Sequence, residues 1–251
     1  MAAASSQTAL KPPMTSLVER WFFTRMAVTM IAISLVAFVP SIVHPAKRHA
    51  PLSALATTHG VVYFAWLLLF LIQSRLIATR HVVWHRRLGL SSVLILSLMI
   101  PLAYTTTIAM VSRGYDLSGD LRIERDPPYG AVFPLCNLLI FSALAIAALT
   151  YRRRPEIHKR LMLFANMELM PAPLAHLIGH TPRLASLPPA IVMVPISMFV
   201  IAAVARDWLV ARRIHSLTWG LAILRMVSGP LEAGPIGSST AWHSFVNWLA
   251  R

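Results

Sequence analysis

An all-α, polytopic bundle of membrane-spanning helices, with about seven spans, is the fold this sequence predicts, and three observations predict it. Seven long apolar runs separated by short basic segments take up nearly all of the 251 residues. Hydrophobic residues make up 57% of the chain and charged ones 13%, with a mean hydropathy of +0.64, which sets it apart from soluble proteins. The positive charge gathers at alternate ends of the runs. A helix needs about 20 residues, at about 1.5 Å each, to cross a hydrocarbon core about 30 Å thick.

The first run, Trp21 to Val43, is too long for the apolar segment of a signal peptide, so it reads as a retained span behind a disordered cytoplasmic tail over residues 1–20. Spans two to six follow at Ala56 to Ile77, Leu88 to Val111, Ala131 to Tyr151, Leu161 to His180 and Pro189 to Val210. Leu217 to Leu231 is the seventh and shortest run, closing one bundle domain over 21–231. In the last segment, 232–251, Trp242, Phe245, Val246 and Leu249 recur at helical spacing, which suits a helix lying at the membrane interface or covering the bundle mouth.

A net charge of +14 would point to nucleic acid in a soluble chain, but here the positive-inside rule accounts for it and nucleic acid is not an expected partner. Arg75, Arg80, Arg86 and Arg87 lie between spans two and three; Arg152, Arg153, Arg154, Lys159 and Arg160 between four and five; Arg206, Arg212 and Arg213 after six. Lys47 and Arg48, after span one, run against the pattern. The counts put the amino terminus in the cytoplasm, with lipid as the protein's first partner. The single cysteine, Cys136, excludes an internal disulfide and a cysteine-ligated cluster.

The chain also repeats itself. Arg80, His85, Arg86, Arg87, Leu88 and Leu90 at the start of span three match Arg153, His158, Lys159, Arg160, Leu161 and Leu163 at the start of span five. Spans two to five therefore read as a duplicated hairpin core related by an axis along the membrane normal, with His85 and His158 in equivalent places. His59, His176 and His180 fall near the opposite membrane surface, and His158 and His176 share a face about 27 Å apart if the helix between them is unbroken. His85 with His158 as an inner pair, and His59 with His176 as an outer one, would supply the axial ligands of b-type haems. The plainer alternative is that these side chains only meet lipid phosphates and fix helix register.

A second constellation competes. Glu168, Ala172, His176 and His180 step along span five at i+4 spacing, so a carboxylate and two imidazoles can face one zinc or non-haem iron ion. Arg225, the only charge in the seventh run, is the architectural partner for Glu168, and Pro171 and Pro173 threaten the shared face. A seven-span metal hydrolase or a histidine-rich oxygenase would follow, although no aspartate is expected inside a span. Gln73, Asn137, Asn166 and the Thr105 to Thr107 run each suit a bond to a neighbouring helix. Walker, dinucleotide-binding, Gly-x-Ser-x-Gly and His-Glu-x-x-His signatures are absent.

The His85-Arg86-Arg87-Leu88-Gly89 and His158-Lys159-Arg160-Leu161-Met162 span starts resemble a group of poorly characterised bacterial multi-pass membrane proteins. They are also distantly similar to haem-copper oxidase assembly factors, because a smaller relative of that group with a His-x-x-Leu-Met start is associated with assembly of those oxidases. The resemblance covers about residues 56–95 and 150–170 and implies a bacterial inner membrane and a respiratory or haem-linked setting, with quinone or a respiratory complex as partner. In the logic of paired histidines the chain resembles the di-haem b-type membrane cytochromes, which distribute their ligands over four helices, whereas span four here has no histidine. A non-catalytic assembly or binding protein is the remaining alternative.

Overall fold

Ten α-helices follow the apolar runs in the computed structural model, which describes residues 14–48, 51–114, 126–181 and 189–251; among these there is no strand. Most of the tail expected over 1–20 lies outside the described residues. Helix α1 (Met14–Val43) begins ahead of Trp21. Helix α2 (Ala54–Ala78) starts where the Ser53 side chain accepts from the Ala56 N–H at 3.1 Å, and α3 (Val82–Leu88) and α4 (Ser91–Arg113) share the third run. Helix α5 (Pro127–Thr150) is capped by Asp126, which accepts from Tyr129 N–H at 3.0 Å, with prolines in the first turn, where an N–H would have no partner.

The fifth run is two helices, α6 (Pro155–Met167) and α7 (Pro171–Gly179). Pro171 and Pro173 have no N–H to continue the ladder, and the chain between the helices bonds over three residues instead, from Leu169 N to Asn166 O and from Met170 N to Met167 O. The unbroken helix assumed for the spacing of His158 and His176 is therefore not formed. Helices α8 (Met193–Ala211), α9 (Ser216–Leu231) and α10 (Thr240–Leu249) complete the chain.

Among the described residues, six segments are long and apolar enough to cross a bilayer: Glu19–Val43, Ala54–Ala78, Val82–Arg113, Pro127–Thr150, Pro155–Gly179 and Met193–Ala211. The chain is an integral membrane protein. The seventh run differs from the expectation, because α9 has only 16 residues, about 24 Å of rise. Beyond it Glu232–Ile236 forms a wider π turn in which Gly237 N–H reaches back to Glu232 O at 3.0 Å. Pro235, lacking an N–H, removes the ordinary helical bond there.

The fifth span is the axis of the bundle: 61% of its most apolar window is buried, against 22 to 33% for the other five. It packs on α5, α1, α8 and α9, while α1, α2, α4 and α5 follow one another round the outside. Met30, Trp66, Met99, Phe141, Phe164 and Met167 fill the interior. Leu139, Ile201 and Met198 point outward, as the lipid face of a membrane bundle requires. Helix α10 lies on α5 with Val246 buried against Val111 and Ala131, while Phe245 and Trp248 stay exposed.

Candidate functional site

His85 and His158 meet at the basic end of the bundle. The turn after α2 brings Arg80 into the left-handed region at φ 65° and starts α3, whose middle carries His85. The turn after α5 starts α6 at Pro155, and His158 sits one turn in. The two ring centroids are 6.3 Å apart and the planes nearly perpendicular, at 78°. Two imidazoles ligating one iron from opposite sides, each at about 2 Å, put their ring centres at about this separation.

The rings are held differently. His158 Nδ1 lies 2.8 Å from Ala148 O, a carbonyl in the last turn of α5. A carbonyl only accepts, so this nitrogen carries the proton and Nε2 is left with a lone pair. An Nδ1–H bond to a backbone carbonyl is the usual way in which a metal-ligating histidine is oriented. His85 Nδ1 is buried and has no hydrogen-bond partner. Beside it on α2, both amide atoms of Gln73 are also buried and unpartnered. A side chain on Gly89 would begin 3.8 Å from Gln73 Nε2 and 3.0 Å from His85 O, so the bare glycine keeps this corner open. Unpaired buried polar groups cost about 1 to 3 kcal/mol each, so a group entering this corner that bonds the Gln73 amide would recover part of that.

At the other end His59 and His176 are not brought together. His59 stacks on Tyr63 at 4.0 Å, with Nδ1 3.3 Å from Thr106 Oγ1 on α4. His176 is buried with Nε2 3.0 Å from Ser41 Oγ on α1, beside the Phe38 ring at 4.9 Å and that of His180 at 4.4 Å. The helix break also separates Glu168 from these two histidines. Its Oε2 accepts from Arg225 Nη1 at 3.0 Å, and Arg225 Nη1 also reaches Ser228 Oγ at 2.9 Å and Asn137 Oδ1 at 3.5 Å. Among the described residues, no three of His, Cys, Asp and Glu stand close enough to hold one metal ion.

One cluster escaped the sequence reading and corrects its expectation about aspartate. Asp207, inside α8 and 2% exposed, accepts from Arg160 Nη2 at 2.7 Å, Arg206 Nη1 at 2.8 Å and Thr218 Oγ1 at 2.5 Å. Arg206 Nη2 in turn reaches Glu19 Oε1 at 2.8 Å, so α1, α6, α8 and α9 are tied at one point. The signal was present: Asp207 is the one acidic residue of its apolar run. Arg160 belongs to the repeated string, yet its counterpart Arg87 lies over the Trp84 ring at 5.5 Å, so this half of the duplication has become structural.

Comparison with family models, with curated proteins and with solved structures finds no match to this chain. Its function is therefore argued from its own geometry.

Proposed function

We propose that this integral membrane protein binds one b-type haem between His85 and His158 at the basic end of the bundle, in a respiratory or redox-linked role. The single observation that carries the reading is the meeting of these two imidazoles from equivalent positions of the repeat, 6.3 Å apart, with the His158 Nδ1–H anchored on Ala148 O. The donor set favours haem over zinc or non-haem iron. Two protein ligands suffice when a porphyrin supplies four more, whereas a bare ion needs three or four from the chain. Gln73 would add an amide beside the bound group. The outer pair, His59 and His176, has no part in the proposal because each ring is engaged elsewhere, His59 with Tyr63 and Thr106 and His176 with Ser41 and Phe38.

A lipid-soluble quinol or a neighbouring respiratory complex is the electron partner this setting calls for, and kinship with oxidase-assembly proteins belongs to the same proposal. No catalytic step is assigned. The test is a reduced-minus-oxidised optical spectrum of the detergent-purified protein reconstituted with haem, with metal analysis beside it. A Soret band at one haem per chain that disappears in both His85→Ala and His158→Ala, and survives in His176→Ala, is expected. A band that survives both inner substitutions, or none in the native protein, overturns the reading.

A further inference from the structure

A groove of about 480 Å³ runs along the outside of the bundle between α5 and α9. Leu139, Ile140, Ile223, Leu224 and Val227 form its walls, and most of them are well exposed, so it opens sideways into the lipid rather than toward water. Its volume falls in the range of small-molecule sites. One end is not apolar: Glu232, in the π turn, and Ser228 line it there.

Glu232 is 3% exposed, and its Oε1 has no hydrogen-bond partner. Behind it, Oε1 of Glu168 is likewise buried and unpartnered, while Oε2 is taken by Arg225. A carboxylate oxygen only accepts, so what completes this end must donate. The charges narrow the choice, since two carboxylates face a single guanidinium and leave a deficit of one positive charge in a low-dielectric setting. A neutral donor would satisfy the oxygen but not the charge, whereas a bound proton or an ammonium head satisfies both, and the open groove gives the second room to enter. π turns of this kind recur at functional sites.

We propose that this groove binds an amphiphilic amine: a hydrocarbon chain lying along α5 and α9, with a protonated amino head donating to Glu232. The ligand enters from the bilayer. Anionic lipids and fatty acids are disfavoured by the same carboxylates. The site is separate from the histidine pair and does not depend on haem.

The experiment uses the full-length protein in nanodiscs of zwitterionic lipid, with radiolabelled dodecylamine as probe and dodecanol and dodecanoate as competitors. Saturable binding of about one dodecylamine per chain is expected, displaced by excess amine and at least about tenfold less well by the alcohol or the acid, the ratio a hydrogen bond to a charged group supplies. Glu232→Gln keeps the size of the side chain and should weaken binding by about the same factor. Gly220→Leu is the second variant: Gly220 lines the groove and a Cβ there meets nothing within 4 Å, so the leucine side chain starts in open space, occupies the groove and should abolish binding, with a native-like melt confirming the fold. Cys136, the only cysteine and also a lining residue, gives an independent readout, because bound amine should slow its alkylation by N-ethylmaleimide. Equal displacement by amine, alcohol and acid would reduce the groove to an ordinary lipid contact. Unchanged affinity in both variants overturns the proposal, as does an absence of saturable binding, which leaves the carboxylates to share a proton.

Discussion

Asp207 and Glu232 are both acidic residues buried to within 3% of full cover, yet donors crowd one and leave an oxygen of the other bare. Around Asp207, two arginines, a threonine hydroxyl and the His215 N–H converge from three helices and a turn. Around Glu232 and Glu168 a single guanidinium serves two carboxylates, and one oxygen of each has no partner. The difference teaches that buried charge in this bundle has two uses. Satisfied on every side, it joins helices that lipid cannot drive together, and left partly open, it stands ready for a ligand.

The largest effect should come from the satisfied cluster. Asp207→Ala leaves Arg160 and Arg206 buried beside each other without their shared carboxylate, a loss of about 3 to 5 kcal/mol for an ion pair broken from one side. The variant should fail to elute as a monodisperse species, or melt far below the native protein in the same detergent. Native-like melting would mean that Glu156 and Glu19 alone carry the arginines, and that the four-helix tie is dispensable.

Glu168→Gln should cost less, because Arg225 keeps Ser228 and Asn137 as acceptors and Glu232 remains in the neighbourhood. A drop in melting temperature about half that of Asp207→Ala is the expected result. The contrast sharpens in the triple variant Glu168→Gln, Glu232→Gln and Arg225→Met, which removes all three charges and should recover part of the loss. No comparable recovery is open to the Asp207 cluster, where two buried charges depend on one. If the triple variant melts lower than Glu168→Gln alone, Arg225 has a role beyond neutralising the two carboxylates.

These two clusters also mark the limit of what the sequence disclosed. The spans were legible because a bilayer demands about 20 apolar residues and little else meets that demand. The meeting of His85 and His158 followed from a repeat, since equivalent positions of two parallel hairpins end near each other. Pro171 and Pro173 announced the break between α6 and α7. Burial of Asp207 was harder to see, because its donors come from residues 47 positions before it and 11 after, and only packing reveals that they converge. The pairing of His176 with Ser41, 135 residues apart, was likewise beyond any local pattern.

A smaller effect is expected within the apolar interior, where a neutral bond joins α2 to α6. Trp66 Nε1–H donates to Asn166 Oδ1 at 3.2 Å, and the asparagine donates back to Met162 O at 2.8 Å. Asn166→Leu strands the indole N–H at a cost of about 1 to 3 kcal/mol, and Trp66→Phe added to it removes the stranded donor and should return much of that. Thermal melts of the two variants check the order, and a double variant less stable than Asn166→Leu alone would show that the indole ring, not its hydrogen bond, holds the helices.

The smallest effect belongs to the groove wall. Gly220 stands inside α9, where glycine is the weaker choice by about 0.5 to 1 kcal/mol relative to alanine, and nothing lies within 4 Å of where a Cβ would sit. Gly220→Ala should therefore raise the melting temperature slightly in detergent, with no change in oligomeric state. The sign carries the information: a methyl group entering truly open space can only help the helix, while one entering space that a bound molecule occupies displaces it. A rise in detergent that turns into a fall after dodecylamine is added to both proteins would place the ligand against α9 at this residue.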